Sequence, residues 1–218
     1  DVRKTYKLYI GGAFPRSESG HSYVVTDHKG RFVANAARAS RKDARDAVKA
    51  ARAAFGGWSG RTAYNRGQVV YRIAEVLEDR REQFEAELRT AEGITPAKAR
   101  TYVDAAIDRL VWYAGWADKI AQVLGSSNPV AAPYFNFTIP EPTGVVGIIA
   151  PDEPPLLGAV SRLAPVLVGG NTAVLVASQE HPLAAIELAR SEGGRVLTGG
   201  RPRPMQGRLA RGWFVEPT

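Results

Sequence analysis

Two almost uninterrupted apolar runs constrain the fold of this chain more than any other feature: "TGVVGIIAP", ending at Pro151, and "TAVLVAS", ending at Ser178. Each reads as one strand. A run without polar alternation marks a strand covered on both faces, as in parallel sheets. Between them "LLGAVSRLAPVLVGGN" reads as a helix ended by Gly169 and Gly170, and "PLAAIELAR" opens a further helix after the second run. Strand, helix, strand, helix is a βαβ unit of a mostly parallel sheet.

The residues ahead of that unit follow other rules. "YKLYIGGAFP" is a strand, a Gly-Gly turn and a second strand start, and "SYVVTDHKGRFVANAA" repeats the pattern with Asp27 to Gly30 as its turn. Ser40 and Asp43 form a capping-box start for a helix in which Ala44, Ala47, Val48, Ala51 and Phe55 recur at helical spacing. Gly56 and Gly57 are expected to stop it. A second helix is expected from Ala63 to Ala91, with Val69, Ile73, Val76, Leu77, Phe84 and Leu88 inward. A third starts from Thr95 as cap and Pro96 at the first helical position, and is expected to run to about Leu124 before Gly125. Its Trp112, Tyr113 and Trp116 read as core or interface packing. From Ser126, "SSNPVAAPYFNFTIPEP" alternates aromatic and β-branched residues between prolines, which suits edge strands.

Composition removes several kinds of chemistry. There is no cysteine, so disulfides, thiolate metal sites and a cysteine nucleophile are excluded from these residues, and a reducing compartment fits. No apolar run approaches the roughly 20 residues needed to span a bilayer. The opening "DVRKTYKLYIGG" has charge but no signal core. A soluble cytoplasmic protein with no membrane partner is the expectation. The net charge of +7 raises the question of nucleic acid, but most of the arginines alternate with acids, as in "YRIAEVLEDRREQFEAELR", the pattern of a solvated face. "GGRVLTGGRPRPMQGRLARGW" concentrates charge without a nucleic-acid-binding signature. No nucleic-acid partner is expected.

Ligands of parallel sheets bind beyond the carboxyl ends of the strands, which here means Ala150 to Pro155 and Val176 to Glu180. Neither is a phosphate cradle, and neither GxGxxG nor GxxxxGK[ST] occurs anywhere. Asp152 and Glu153, adjacent on a proline-stiffened loop, are expected to point apart and stay solvated, with no metal bound. His21, His28 and His181 have no metal spacing and read as surface or turn residues. Ser161 and Ser178 lack a nucleophile-elbow pattern.

"KLYIGGAFP", "AVKAARAAFGGWS", "WYAGWADKI", "EPTGVVGIIAP" and "LAPVLVGGNTAVLVAS" resemble, in order, successive segments of the N-terminal half of the NAD(P)-dependent aldehyde dehydrogenases. "GGRVLTGGRP" with "GWFVEPT" is similar to a segment found much later in that family. An alternative placement of "GGRVLTGG", directly after the Rossmann helix, where the family has a similar strand and turn, is disfavoured by "GWFVEPT". The resemblance implies an α/β fold: a Rossmann-type parallel sheet with N-terminal helices and a β-flap used in oligomerisation. On that basis 1–125 is the hairpin and helical part, 126–140 the flap, 141–190 the Rossmann-like βαβ part and 191–218 the later segment.

The departures from the family's pattern carry the functional expectation. The loop at Pro151 to Pro155 usually reads proline, tryptophan, asparagine, an aromatic, proline, and the asparagine donates to the oxyanion of the thiohemiacetal. Here the asparagine position is Glu153 and the tryptophan position is Asp152. A carboxylate repels the charge that a fixed donor stabilises by a few kcal/mol, so the loop reads as the relic of an active site. Val176 replaces a lysine that reaches the adenosine ribose or its 2′-phosphate, and Gln179 stands where an acid often contacts that ribose. The backbone of Ile149, Ala150 and Pro151 is the vestige of the cofactor slot. Between Arg190 and Ser191 the sequence passes over the family's glycine-rich turn, general-base glutamate and nucleophilic cysteine. The expectation is a shortened, catalytically inactive member that resembles the non-catalytic second part of long aldehyde dehydrogenases. It would assemble through its flap with a catalytic part or as a homodimer, with no cofactor expected. The alternatives are a surviving NAD(P)-binding module and part of an active dehydrogenase that oxidises aldehydes to carboxylic acids.

Overall fold

The computed structural model describes residues 5–191. The expectations for "GGRVLTGG", "GWFVEPT" and the rest of 192–218 lie outside the described residues.

The N-terminal part is a three-stranded sheet in the order β1-β3-β2, formed by β1 (Thr5–Tyr6), β2 (Ser22–Thr26) and β3 (Phe32–Ala37). β1 runs parallel to β3 and β2 antiparallel to it. Both expected turns form. Gly11 and Gly12 have φ of 59° and 80°, the left-handed pair that a two-residue hairpin turn requires, and Ile10 bridges Ala13 across it. In the second turn the Asp27 carboxylate accepts from the backbone N–H groups of Lys29 and Arg31, both at 2.9 Å.

α1 (Arg41–Ser59) starts from the expected capping box: Asp43 N donates to Ser40 Oγ, and Ser40 N donates to the Asp43 carboxylate at 2.7 Å. The same carboxylate accepts from the Ser17 hydroxyl at 2.6 Å and from Glu18 N at 3.1 Å. One buried acid thereby fastens the 17–18 loop to the start of the helix. Contrary to the expectation from sequence, Gly56 and Gly57 do not stop α1; it continues to Ser59, with Gly60 as cap. Tertiary structure overrides the glycines because the extra turn brings Trp58 against the core, where its indole N–H donates to Leu167 O at 3.0 Å.

The helix expected from Ala63 to Ala91 is two helices, α2 (Ala63–Asp79) and α3 (Arg81–Glu92). Arg80, between them, has φ −109° and ψ 18°. The break falls in "EDRREQ", where no apolar residue holds the stripe to the core. The change of direction re-aims Phe84, Leu88 and Ala91 inward, and Arg81 secures it by pairing with Glu78 and with Asp104 of the next helix. That helix, α4 (Pro96–Trp116), has the expected Thr95 cap and Pro96, but it also ends early. Ala117 N bonds to Ala114 O and Lys119 N to Trp116 O, a tightening that separates α4 from the short α5 (Ile120–Leu124).

β4 (Ser126–Asn128) and β5 (Asn136–Thr138) pair antiparallel within the stretch read as edge strands. The chain then enters the βαβ unit: β6 (Val145–Ile149), α6 (Pro155–Val168) and β7 (Thr172–Val176), followed by α7 (Leu183–Ser191). β6 and β7 pair in parallel, Val145 opposite Thr172 and Ile149 opposite Val176. The expectation that both strands are buried on both faces is not met: in β6 only Ile148 is buried, and Gly147 and Ile149 are exposed. Among the described residues these strands pair only with each other, and a two-stranded sheet has too little width to cover its own ends.

The main core lies between α2, α3, α4, α6 and α7, around Val70, Leu77, Phe84, Leu88, Val103, Leu156 and Val160. A smaller cluster of Val25, Ala36, Ala91 and Leu183 joins the N-terminal sheet to α3 and α7. Among the described residues no helix is long and apolar enough to cross a membrane.

Close packing at one glycine and hydrogen bonding at one acid each have a measurable consequence. A Cβ at Gly67 of α2 would lie 2.8 Å from Ala114 O and 3.1 Å from Ala117 Cβ. Gly67→Ala should therefore lose about 1–3 kcal/mol by overpacking, despite its better helix propensity, as read by urea unfolding. The hydrogen bonds from Ser17 and the Ser40 backbone hold the Asp43 carboxyl at about 2, below its ordinary 3.8. A depressed carboxyl stabilises the fold above the unfolded value and loses that contribution as pH falls through the folded one. The stability gap between the wild type and Asp43→Asn should thus be full at pH 5 and narrow between pH 4 and 2.

Candidate functional site

The carboxyl ends of β6 and β7 lie side by side because the strands are parallel and in register. Ala150 extends the pairing: its N–H donates to Val176 O at 2.9 Å. Of the three residues expected to retain cofactor-slot backbone, Ala150 is buried and Pro151 half-buried, whereas the side chain of Ile149 is turned out, 79% exposed. Val176, at the end of β7, is 57% exposed. The Pro151 ring fills the space that a side chain at Gly158 would need, which sets the loop against the first turns of α6. Glu153 lies exposed on this loop.

Asp152 and Glu153 do not share one fate. Asp152 is exposed, yet its carboxylate accepts from the buried Ser178 hydroxyl at 2.7 Å, and Ser178 Oγ accepts from His181 N at 3.0 Å. The expectation that both acids stay merely solvated is corrected for Asp152. Ser178, set aside from sequence as lacking a nucleophile pattern, is the hydroxyl that joins the two strand-end loops. The parallel register supplies the signal that the sequence alone lacks: the residue three beyond the end of β6 meets the residue two beyond the end of β7.

The Glu153 charge also acts on Glu92, the last residue of α3. Oε1 of Glu92 is buried without a hydrogen-bond partner. Burial raises the Glu92 carboxyl above its ordinary 4.5; His181 and Lys98 oppose the rise and the Glu153 charge adds to it. The helix end is also gripped by His28, whose backbone N donates to Thr90 O and whose Nδ1 lies 3.3 Å from that oxygen. The His28 ring sits over Gly93, which caps α3 with φ 66°. Two of the histidines read from sequence as surface or turn residues thus converge on the end of α3. His21 does not join them.

No cluster of three or more His, Cys, Asp or Glu able to hold a metal ion occurs among the described residues. What the arrangement offers chemically is two exposed carboxylates, Asp152 and Glu153, beside two exposed aliphatic strand ends. It offers a developing anion no side-chain donor on the 151–155 loop.

A raised carboxyl stabilises the fold below its unfolded value and withdraws that contribution as pH rises through the folded one. Glu92→Gln, which removes the buried charge, should therefore raise stability at pH 7–8 and change little at pH 4. Thermal unfolding at the two pH values checks it.

The comparisons with known proteins bear on the family and the fold. Residues 14–191 match the model of the "Aldehyde dehydrogenase family". DhaS of Bacillus subtilis (strain 168), a putative aldehyde dehydrogenase by its description, is 37% identical over 193 residues, spanning 86% of this chain and 38% of that protein. Human cytosolic 10-formyltetrahydrofolate dehydrogenase is 34% identical over 196 residues, spanning 86% of this chain and 21% of its own length. Among solved structures, HpcC of Thermus thermophilus superposes with a TM-score of 0.82 at 31% identity, covering 86% of this chain and 36% of that one. The NAD⁺ complex of a Staphylococcus aureus betaine aldehyde dehydrogenase variant gives 0.81 at 28% identity, covering 87% and 38%. The chain therefore spans well under half the length of these relatives. Since the family model covers residues 14–191, well over half of the sequence, the chain belongs to the aldehyde dehydrogenase family.

Proposed function

We propose that residues 1–218 act as an assembly domain of the aldehyde dehydrogenase family, without turnover of their own. The observation that carries this reading is the flap. Among residues 129–141 every position is exposed, including Tyr134, Phe135, Phe137 and Ile139, and Phe135 and Phe137 stack at 5.3 Å. An exposed apolar hairpin of this kind is a hazard for a lone chain and an asset for a paired one. Its partner is a second copy or the catalytic part of an aldehyde dehydrogenase, to whose sheet edge β4 or β5 adds a strand. Two further features support the absence of turnover: the sequence has no cysteine to act as nucleophile, and Glu153 stands where the family resemblance implies an oxyanion donor. The cysteine-free sequence also fits a cytoplasmic setting.

One observation favours a second reading, a surviving NAD(P)-binding module: the strand ends at Ile149 and Val176 remain open to solvent, and the Staphylococcus aureus relative was solved with NAD⁺. The residues fit this cofactor only in part. The backbone from Ile149 to Pro151 is available to an adenosine, but Val176 and Gln179 supply no charge for a ribose or a 2′-phosphate.

Sedimentation of the wild type should give a dimer, and Phe135→Ser with Phe137→Ser should give a folded monomer. A monomeric wild type, or a double variant that still pairs, would remove the flap from the proposal. Titration with NADH, followed by energy transfer from the tryptophans, should show no saturation up to millimolar cofactor. Saturation at micromolar cofactor would make the binding module the better reading.

A further inference from the structure

The outward face of α1 carries charge of one sign. At 3.6 residues per turn, Asp43, Ala47 and Ala51 lie on the side turned to the fold, and the opposite side carries the exposed cations Arg41, Lys42, Arg45, Lys49 and Arg52, with the one acid Asp46 at its flank. Arg41, Arg45, Lys49 and Arg52 succeed one another at i, i+4, i+8 and i+11, a straight ridge roughly 16 Å long at 1.5 Å per residue. Lys42 is held by Glu18 at 2.8 Å, and Arg45 approaches the flanking Asp46 only to 3.9 Å. Arg41, Lys49 and Arg52 make no ion pair among the described residues. At the N-terminal end of the ridge a shallow cleft of about 390 Å³ is lined by Glu18, Ser40, Arg41, Lys42 and Arg45. The capping box already occupies the Asp43 N–H of the first turn, and the recognition offered here is by side chains.

We infer that this ridge is a docking surface for an acidic protein segment, a helix with glutamate or aspartate repeating every fourth residue. The charges are complementary and the repeat is the same, so several carboxylates meet several cations in one register, where guanidinium groups bind carboxylates with two parallel hydrogen bonds. The chemistry of the face separates this partner from other polyanions. No aromatic side chain stands on the ridge to stack a nucleic-acid base. Val48 is its one exposed large apolar side chain, too little for insertion into a lipid surface. The inference is independent of the flap and of the strand ends.

The test uses the full 218-residue chain and fluorescence anisotropy, with two labelled probes: a helical peptide carrying glutamate at every fourth position, and a single-stranded oligothymidylate. The peptide should bind the wild type, more weakly as salt rises. Its affinity should fall about tenfold or more in Arg45→Gln/Lys49→Gln/Arg52→Gln, and at least as far in the corresponding triple glutamate variant. Arg109→Glu, on α4, should leave it unchanged, and circular dichroism confirms that each variant is folded. The inference is overturned if the wild type does not bind the peptide, if neutralising the ridge leaves binding intact, or if the oligothymidylate binds more tightly than the peptide.

Discussion

The burial of α6 organises the rest of the described fold. This helix is apolar on nearly every side: Leu156, Val160, Ala164, Leu167 and Val168 are all buried, and it packs at once on α4, α2 and the β6–β7 pair. A helix taken out of water on so many sides leaves its last carbonyls without solvent, and buried polar groups left unpaired cost on the order of 1–3 kcal/mol each. The chain meets that demand with the following turn, whose Gly169, Asn171 and Gly170 N–H groups donate to Pro165, Val166 and Leu167 O, and with side chains from two other elements. Trp58 of α1 donates its indole N–H to Leu167 O, and Arg66 of α2 donates Nε–H to Val168 O at 3.1 Å. Arg66 also reaches Arg61 O at 2.5 Å. The cation therefore closes the α1–α2 corner onto the negative end of the α6 dipole.

This arrangement explains why the strand ends come together as they do. α6 fixes where β6 leaves the sheet and where β7 enters it, and the Pro151 ring against Gly158 fixes the loop between. Asp152 and Ser178 then bridge the two loops. The acids of this region have different electrostatic situations although they are neighbours in space. Asp152 has a hydroxyl partner. Glu92 has a buried oxygen without one and the Glu153 charge nearby. The site is thus held in shape by one acid and destabilised by another.

Charge also divides the surface into distinct regions. The ridge of α1 is cationic, the strand-end loops are acidic, and the flap presents aromatic side chains with little charge. Three surfaces of different chemistry thus lie on the described residues.

The order of elements, the hairpin turns, the capping box, the Thr95–Pro96 start and the βαβ unit were all legible in the amino-acid string. Each of these rests on interactions between residues close along the chain: a left-handed Gly-Gly pair, a side chain capping its own helix, an apolar run of strand length. The family was legible for the same reason, since its motifs are local strings in a fixed order. Long-range packing settled the rest. Whether α1 passes Gly56 and Gly57 depends on Trp58 finding Leu167 O, 109 residues away. Whether the helix from Ala63 breaks at Arg80 depends on where Phe84 and Leu88 are drawn. The Asp152–Ser178 bond and the meeting of Glu92, Glu153 and His181 exist only once parallel pairing has set the register, because residues distant in sequence share an environment only after the chain has packed.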